Sequence, residues 1–506
     1  MQGLTAMFRA RFPQAAFLAL SLGLAGCTVG PDFKAPVTQA PDDWSQWRSG
    51  TADVIAVPAG KQPMPAEWWT LLGDPVLNDL ESRALAASPD LQTAALHLAQ
   101  ARAQRGAAAS AGLPQVNASA GITRERMSEY GASTRLFDVL AGDNRDQLAE
   151  YLARPFTLYQ GGFDAGWEID LWGKVRRSVE AADAGIAQQG ALLDLTRLSV
   201  TAEVAQAYFA MRSAQAQGAV AGEDIALLKD RVGLVGARVN GGLSDHTAIE
   251  TDQASLRASE ANLPALQAEA AAQANRIAIA LGVQPGTLRD ELKPAGLGPL
   301  PPALPDLSLG MPSEVALRRP EVRAAEAKLH AATAQIGVAV ADLYPSITLG
   351  GGFGLESYRS QNLFDWASRT WQIGPSLSLP IFDGGRRRAT VEVRKLEQRE
   401  AAVNFQVAVL KAWQEIDDAL TGYTADWQAR QRLADRLEHA RANADLVEAR
   451  YRGGQVNYLP VIDARRAVLA ARRELDESDA RVRTWLAAIN KAIGNVPPPA
   501  NPVESP

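Results

Sequence analysis

The sequence predicts an α+β membrane protein that is internally duplicated, with four amphipathic β-strands and two very long helices in each chain. Three observations predict this fold class. Local motifs recur at a fixed offset, four short segments alternate between apolar and polar residues, and two very long runs contain no proline. Alternation with a period of two is typical of strands, whereas long proline-free runs are typical of helices.

The recurring motifs divide the chain into two similar halves. Ser88-Pro89-Asp90-Leu91 recurs 231 positions later as Arg319-Pro320-Glu321-Val322, and Leu113-Pro114 recurs at the same offset as Tyr344-Pro345. A period of this length is too long for a solenoid repeat and indicates two structural halves. The predicted organisation is a lipoprotein signal peptide at 1–26, a lipid-anchored irregular segment at 27–75, a first repeat at 76–281, a proline-rich linker at 282–313, a second repeat at 314–494 and an irregular tail at 495–506.

The N-terminus has the features of a lipoprotein signal. Arg9 and Arg11 precede a short apolar run, and Leu24-Ala25-Gly26-Cys27 places the only cysteine of the chain after small residues. The apolar run is too short to span a bilayer permanently. An ordinary signal peptide with a chance cysteine is the alternative. The pattern favours a lipobox, in which Cys27 becomes the lipidated N-terminus, and Thr28 in place of an aspartate favours the outer membrane.

Composition excludes several classes of function. The formal net charge is −6, and it becomes −8 when the signal peptide removes two arginines, so nucleic acid is not an expected partner. The mature chain has no apolar run long enough for a transmembrane helix. Neither a Walker motif nor a G-x-S-x-G elbow is present, and the four histidines lack metal-ligand spacing. We therefore expect no enzyme activity, and no cofactor or metal beyond the covalent lipid.

Four segments read as strands with one apolar and one polar face. In the segment 162–171, Phe163, Trp167 and their apolar neighbours alternate with Asp164, Glu168 and Asp170, and the segments 116–123, 346–355 and 371–379 alternate in the same way. Each is about ten residues long, which suits a tilted membrane-spanning strand. A soluble sheet shows the same alternation and remains the alternative. The polar stretch 127–158 enlarges the first strand-to-strand loop, and we expect both such loops outside the membrane.

The helices are predicted to be unusually long. The runs 174–239 and 386–452 lack proline, and at 1.5 Å per residue each helix would extend about 100 Å. Lengths of this kind indicate a coiled coil or a comparable bundle. Shorter helices are predicted at 90–112, 244–281, 320–343 and 459–493. Pro264 should kink its helix, whereas Pro460 suits a first helical turn.

Four strands leave two open edges, which lipid does not tolerate. Two chains would give about eight strands and a filled interior, whereas three would give about twelve strands and an aqueous lumen. The polar faces, including Asp164, Glu168 and Asp170, favour the wet lumen and predict a preference for cations.

Several motifs resemble those of outer-membrane factor lipoproteins of the OprM/NodT type, in the TolC-like superfamily. They are Trp68-Trp69-Thr70-Leu71-Leu72-Gly73-Asp74-Pro75, Ser88-Pro89-Asp90-Leu91, Leu113-Pro114, Pro380-Ile381-Phe382-Asp383-Gly384-Gly385-Arg386 and Tyr451-Arg452-Gly453-Gly454. The resemblance covers almost the whole mature chain. It implies a homotrimer in which a 12-stranded barrel, inserted in the outer membrane, continues into a periplasmic α-helical barrel. It also implies a passive exit duct for drugs in a tripartite efflux pump, with a membrane-fusion adaptor and an inner-membrane pump, of RND type, as partners.

Two other functions stay open from the sequence. A protein-secretion duct has the same architecture, although the lipobox favours efflux. A lipid-anchored periplasmic coiled-coil scaffold is the third reading, and the amphipathic strands argue against it.

The resemblance also implies a periplasmic gate. Asp463 matches a family aspartate that lines the constriction, and Tyr451 matches a tyrosine that latches the coiled coils. An acid favoured by the helix dipole and a tyrosine packed between helices are the alternatives. Some relatives carry a second aspartate where this chain has Pro460.

Two basic clusters follow strands two and four, with Lys174, Arg176 and Arg177 in one and Arg386, Arg387 and Arg388 in the other. We expect them to contact anionic headgroups of outer-membrane lipid, with a solvated helix surface as the alternative.

Overall fold

The computed structural model describes residues 28–37, 59–298, 300–301, 304–306 and 312–499. The predicted signal peptide, the predicted lipidation residue Cys27 and most of the predicted C-terminal tail lie outside this part of the chain.

Four strands form one antiparallel sheet. They are β2 (Gln115–Glu125), β3 (Phe156–Glu168), β5 (Ser346–Ser357) and β6 (Arg369–Ser378), in the order β2-β3-β5-β6. The central pair joins the two halves of the sequence, with Phe163 directly opposite Phe353. A separate parallel pair consists of β1 (Ala59–Pro63) and β4 (Leu304–Asp306). All four predicted strands are therefore confirmed.

The six predicted helices appear in the predicted order, and the described residues also contain four shorter helices that were not predicted. In chain order they are α1 (Pro75–Ala87), α2 (Pro89–Ser110), α3 (Phe137–Leu140), α4 (Arg145–Ala153), α5 (Lys174–Asn240), α6 (His246–Ala280), α7 (Pro312–Arg318), α8 (Pro320–Ala341), α9 (Arg386–Arg452) and α10 (Leu459–Ala492). Both long helices, α5 and α9, contain 67 residues. The stretch read as an enlarged loop contains the short helices α3 and α4. No helix of the described residues combines the length and the apolar composition of a membrane-spanning helix.

The two long helices end in the same way. Gly242 and Gly454 adopt φ of +71°, a left-handed conformation that costs glycine little. The amide of Leu243 donates to the Arg238 carbonyl at 2.8 Å, and Gln455 makes the matching bond at 2.9 Å. These six-residue closures satisfy carbonyls that a helix end leaves free. They turn the chain into the next helix.

The two prolines behave differently from each other. Pro460 occupies the first turn of α10, as predicted. Pro264 lies inside α6, and the helix continues through it from His246 to Ala280.

One strand prediction extends too far. β3 ends at Glu168, because the Asp170 carboxylate accepts hydrogen bonds from the amides of Val175 and Arg176, both at 3.0 Å. Asp170 therefore satisfies the free amides at the start of α5 instead of extending the strand. The prediction that Asp170 belongs to the strand is wrong. Period-two alternation does not show where a strand ends when the next polar residue caps a helix instead.

The chain divides into two compact units, each built from both halves. The first comprises 1–34, 101–185 and 329–400, and the second comprises 35–100, 186–328 and 401–506. The sheet belongs to the first unit. The main apolar core belongs to the second and includes Trp68 and Trp69, which are 1% and 2% exposed.

The motif that runs from Trp68 to Pro75 has a structural explanation. Asp74 accepts hydrogen bonds from the amides of Val76 and Leu77 at 3.0 and 3.2 Å, so it caps α1. The Tyr208 hydroxyl of α5 also donates to this carboxylate at 2.5 Å. Burial, reinforced by this bond, raises the pKa of Tyr208 to about 12. The motif thus joins α1 to the core through a protonated tyrosine.

Candidate channel lining and helical ties

The strand register places polar and apolar residues on opposite faces of the sheet. Directly paired residues of an antiparallel sheet share a face. Asn117 pairs with Asp164, Asp164 with Gly352, and Gly352 with Gln372, so one polar row crosses all four strands. The Asn117 amide donates to the Asp164 carboxylate at 3.1 Å. The remaining polar residues on this face are Gln115, Ser119, Thr123, Glu125, Gln160, Glu168, Ser346, Thr348, Glu356, Thr370, Ser376 and Ser378.

The opposite face carries the large apolar side chains. Ala118 pairs with Phe163, Phe163 with Phe353, and Phe353 with Trp371, which makes an apolar row adjacent to the polar one. Phe163 and Trp371 are 62% and 71% exposed, so the described part of the chain does not cover this face. The exceptions among the larger side chains lie near strand ends, where Phe156 and Leu158 fall on the polar face and Arg124 and Arg369 on the apolar face. An exposed apolar surface of this extent requires lipid or a partner.

Glycines keep the polar face open. Gly162 pairs with Gly354, and a Cβ on Gly162 would lie 2.7 Å from both the Gly354 Cα and the Phe353 carbonyl oxygen. That spacing excludes any side chain at position 162. Gly350, Gly352, Gly354 and Gly374 also lie on the polar face. Small residues on one face let a sheet curve towards that face without crowding its side chains.

Of the acids predicted to line a lumen, the structure places two on the polar face. Asp164 and Glu168 both belong to β3 and are exposed. Asp170 lies beyond the strand and binds the start of α5, as described above.

The predicted gate residue Asp463 lies in an ion-paired junction of three helices. Its carboxylate on α10 binds the Arg231 guanidinium of α5, and Arg231 also contacts Asp252 of α6 at 2.7 Å. The side chains of Arg231 and Asp252 are 22% and 10% exposed, whereas Asp463 is 58% exposed. Arg231 therefore has one sheltered partner and one accessible partner.

A second ion pair connects the same helices, this time with the acid on α5 and the arginine on α10. We call this pair, Asp224–Arg466, and the Arg231–Asp463 pair the helical ties. Asp224 of α5 binds Arg466 of α10 at 2.7 Å and accepts a hydrogen bond from Ser259 of α6 at 2.7 Å. Burial alone would raise the pKa of Asp224, but Arg466 and Ser259 outweigh it and lower the pKa below its ordinary value. The carboxylate stays ionised at neutral pH. Arg472 of α10 adds a third pair, to Glu223 of α5 at 3.2 Å.

Ion pairs also connect α10 to α9. These are Arg430–Asp479, Arg436–Glu474 and Arg481–Asp426. Because α10 is paired on one side to α5 and on the other to α9, a displacement of α10 must break charge contacts.

Tyr451 is the penultimate residue of α9, next to the turn that leads to α10. Its ring packs 5.1 Å from the ring of Tyr458, and neither α5 nor α6 supplies a recorded partner for it among the described residues. Arg465 donates to Glu448 at 3.1 Å and to the Tyr458 hydroxyl at 3.4 Å. Tyr451 thus stabilises the turn, and the predicted latch role stays a prediction.

The two basic clusters are less alike than the sequence indicates. Lys174 binds Asp342 at 2.8 Å, and Arg176 binds Asp170 at 3.2 Å. Arg387 donates to the Asp342 carbonyl at 2.5 Å. Of the six basic residues in the two clusters, Arg386 and Arg388 are the two that are exposed and have no side-chain partner within the described part of the chain.

Arg177 corrects the prediction of lipid contact. Its side chain is 5% exposed and binds Asp32 and Glu180 at 2.6 and 2.7 Å. A guanidinium buried between two carboxylates does not project towards headgroups.

Comparison with known proteins identifies the family. A sequence model of the outer membrane efflux protein family matches residues 80–283 and 311–495. The chain belongs to this family. Outer membrane protein OprJ of Pseudomonas aeruginosa is 30% identical over 458 residues, which cover 89% of each protein. The toluene efflux pump outer membrane protein TtgF of Pseudomonas putida is 28% identical over 477 residues, which cover 93% of this chain and 95% of that protein.

A solved structure is similar over nearly the same length. The outer-membrane channel OprN aligns with a TM-score of 0.78 and 30% identity, over 93% of this chain and 99% of that chain. These similarities confirm the predicted outer-membrane factor of the TolC-like superfamily, its mixed helix and sheet fold, and its function in efflux. The outer membrane efflux protein family is a family of channels, which is not an enzyme class.

Proposed function

We propose that three copies of this chain form the outer-membrane exit duct of a tripartite efflux pump, through which small molecules pass passively to the outside. The observation that carries the proposal is the four-stranded sheet with one polar face, one exposed apolar face and two unpaired edges, on β2 and β6. Each feature by itself fits other proteins. Together they fit a segment of a closed, water-filled barrel.

The two open edges of the sheet determine how many chains the barrel needs. Unpaired strand edges in lipid cost several kcal/mol for each free backbone group, so β2 of one chain must pair with β6 of another. Barrels of about eight strands fill their interior with side chains, whereas about twelve leave space for solutes. Glycines opposite one another on the polar face, such as Gly162 and Gly354, allow the curvature that closure requires.

The two faces of the sheet determine which side lies towards the lumen and which lies towards lipid. Asp164, Glu168 and their polar neighbours face the lumen, and Phe163, Phe353 and Trp371 face lipid. Cys27 carries the lipid anchor, and the long helices extend the duct into the periplasm. In this arrangement each of the duplicated halves supplies two strands and one long helix.

The partners follow from the architecture of such a pump. A duct in the outer membrane needs a periplasmic membrane-fusion adaptor and an energised inner-membrane pump, of RND type, because the duct itself supplies no energy. TtgF is named for toluene efflux, but the polar and apolar rows of this sheet contain no enclosed binding site that would fix a cargo in this chain.

The helical ties hold the duct closed. Arg231–Asp463 and Asp224–Arg466 join α5 to α10, and both would have to break if α10 moved away from α5. We assign the closed state of the periplasmic end to these ties, with Asp463 exposed enough to face the passage.

Two measurements on the purified lipidated protein test the proposal. Native mass spectrometry should give three chains with a lipid on each, and planar bilayers should show discrete channels. The Cys27→Ser variant should remain in the membrane on carbonate extraction, because the strands hold it there. A single-chain mass without channel activity, or release of Cys27→Ser into the soluble fraction, would overturn the proposal in favour of a lipid-anchored scaffold.

A further inference from the structure

The residues that follow the lipidation position are bound by the body of the protein. The segment Thr28–Phe33, called here the anchor segment, lies in the same compact unit as the sheet. The Val29 amide donates to the Trp172 carbonyl at 3.1 Å. Gly30 adopts φ of +93°, and a Cβ there would lie 2.5 Å from the Gly337 Cα. Both the conformation and the close approach require glycine at this position.

Arg177 binds the anchor segment through its guanidinium group. Its guanidinium donates to the Asp32 carboxylate at 2.6 Å and to the Val29 carbonyl at 3.4 Å. A third bond goes to Glu180, one turn further along α5, at 2.7 Å. The Arg177 side chain is 5% exposed, so these charge-assisted bonds are shielded from solvent on the arginine side.

His330 of α8 completes the site. Its ring stacks on Phe33 with centroids 4.3 Å apart and planes inclined by 13°, and its Nε2 lies 3.0 Å from the Glu180 carboxylate. Glu180 is therefore shared by His330 and Arg177. Burial tends to raise the pKa of Glu180, but the bonds from Arg177 and His330 outweigh it and lower the pKa. The site holds the peptide with two hydrogen bonds to the Val29 backbone, one ion pair, one ring stack and one glycine contact.

The other half of the sequence does not build this site. Arg177 is the fourth residue of α5, and the fourth residue of α9 is Ala389. The position 231 residues before His330 is Ala99. The chain has two structural halves but a single N-terminus, and the site is present once.

We propose that this site positions the lipid anchor, with Arg177 and His330 as positioning residues. It binds the anchor segment so that the acyl chains on Cys27 enter the membrane where β3 ends and α5 begins. Thr28 packs against Gly173 at that junction, since a Cβ on Gly173 would lie 2.6 Å from the Thr28 methyl group. Consecutive Cα atoms lie about 3.8 Å apart, so a lipid on Cys27 would be attached only one residue away from the bound Thr28.

The positioned lipid raises the local concentration of the strands at the bilayer surface. A tethered encounter is faster than a free one when the tether matches the geometry of the site, and a loose tether loses part of that gain. The site should therefore speed insertion and trimer assembly. This inference rests on the proposed function, because it requires a lipidated, membrane-inserted trimer.

The first test measures hydrogen exchange of the peptide containing Val29 in the full-length lipidated protein. Asp32→Asn and Phe33→Ala remove contacts by changing the anchor segment itself, so Arg177 and His330 in the body of the protein stay unchanged. Exchange should become at least about tenfold faster, which corresponds to about 1.4 kcal/mol of lost protection. Lys34→Gln is the matched control, because Lys34 is exposed and has no recorded contact among the described residues. Exchange that is unchanged in both variants, or equally fast in the control, overturns the site.

The second test separates anchor positioning from a merely structural contact. Asp32→Asn should slow trimer assembly in the outer membrane severalfold in the lipidated protein and should have no further effect in a Cys27→Ser background. Equal slowing in both backgrounds overturns the positioning role. Failure of the proposed function would give a different result. If the chain carried no lipid on Cys27 or formed no trimers, the Val29 amide would still be protected from hydrogen exchange.

Discussion

Neutralising Asp463 should weaken the closed state of the duct by a small, calculable amount. The Asp463 side chain is 58% exposed, and Arg231 is 22% exposed. Exposed ion pairs contribute about 0.2–1 kcal/mol. Since about 1.4 kcal/mol changes an equilibrium tenfold, the loss of one such pair should raise the ratio of open to closed states by a factor of about 1.4 to 5.

The assay is single-channel recording of Asp463→Asn and Asp463→Ala in planar bilayers. A double-mutant cycle with Arg231→Gln isolates the pair, because Asp463 also lies near the start of α10, where any acid gains from the helix dipole. Asp463→Asn in an Arg231→Gln background should have little further effect. Arg231→Gln should additionally lower the free energy of unfolding, since Asp252 is 10% exposed and loses its partner.

Glu250 provides the matched control. It stands at the equivalent place in the first half, after Ile249, and is exposed without a recorded side-chain contact in the described chain. Glu250→Gln should leave the open-to-closed ratio unchanged. An unchanged closed conductance in Asp463→Ala, or equal effects of Asp463→Asn and Glu250→Gln, would refute the assignment of Asp463 to the closed state.

Three further predictions concern the lumen, the core and the lipid surface. Asp164→Asn should reduce cation selectivity, measured as a smaller reversal potential in a salt gradient, and an identical potential would remove Asp164 from the conducting path. Glu81 of α1 is fully buried with neither carboxylate oxygen bonded in the described structure, and burial raises its pKa well above the ordinary 4.5. The wild type should therefore lose stability relative to Glu81→Gln as pH rises above 4.5, and a difference in melting temperature that stays constant from pH 4.5 to about 8 would contradict this. Replacing Arg386 and Arg388 by Gln should reduce anionic-lipid binding in native mass spectrometry, and unchanged binding would assign them to solvent.

The secondary structure was predictable because its signals are local and repeated. Period-two alternation identified all four strands, and the absence of proline identified α5 and α9 almost to the residue. Gly242 and Gly454 end the two long helices because only glycine reaches positive φ without strain. Asp170 was misplaced because an acid that caps a helix looks like the next member of an alternating strand.

The ties and the anchor site were not predictable in the same way. Arg231 and Asp463 are 232 positions apart, and Arg177 and Asp32 are 145 apart. Which charges meet depends on the rotation of each long helix about its axis, and single-sequence periodicity in a helix that is polar on many sides does not determine that rotation. A weaker signal was present, since the exchanged pairs Asp224/Arg231 and Asp463/Arg466 are spaced to share a face of their helices. The basic cluster at 174–177 was read as one surface, although burial separates Arg177 from its neighbours.

The orientation of the sheet is the central claim, and thiol accessibility tests it most directly. Cys27 is the only cysteine in the sequence, and the proposed lipidation would block its sulfur, so the lipidated chain would offer no other thiol. Ser119→Cys and Ala120→Cys place single thiols at adjacent positions of β2, on the polar and the apolar face. A charged, membrane-impermeant thiol reagent should lower the conductance of Ser119→Cys trimers and leave that of Ala120→Cys unchanged. Equal block of both variants, or block of Ala120→Cys alone, would contradict a barrel whose polar face lines the passage.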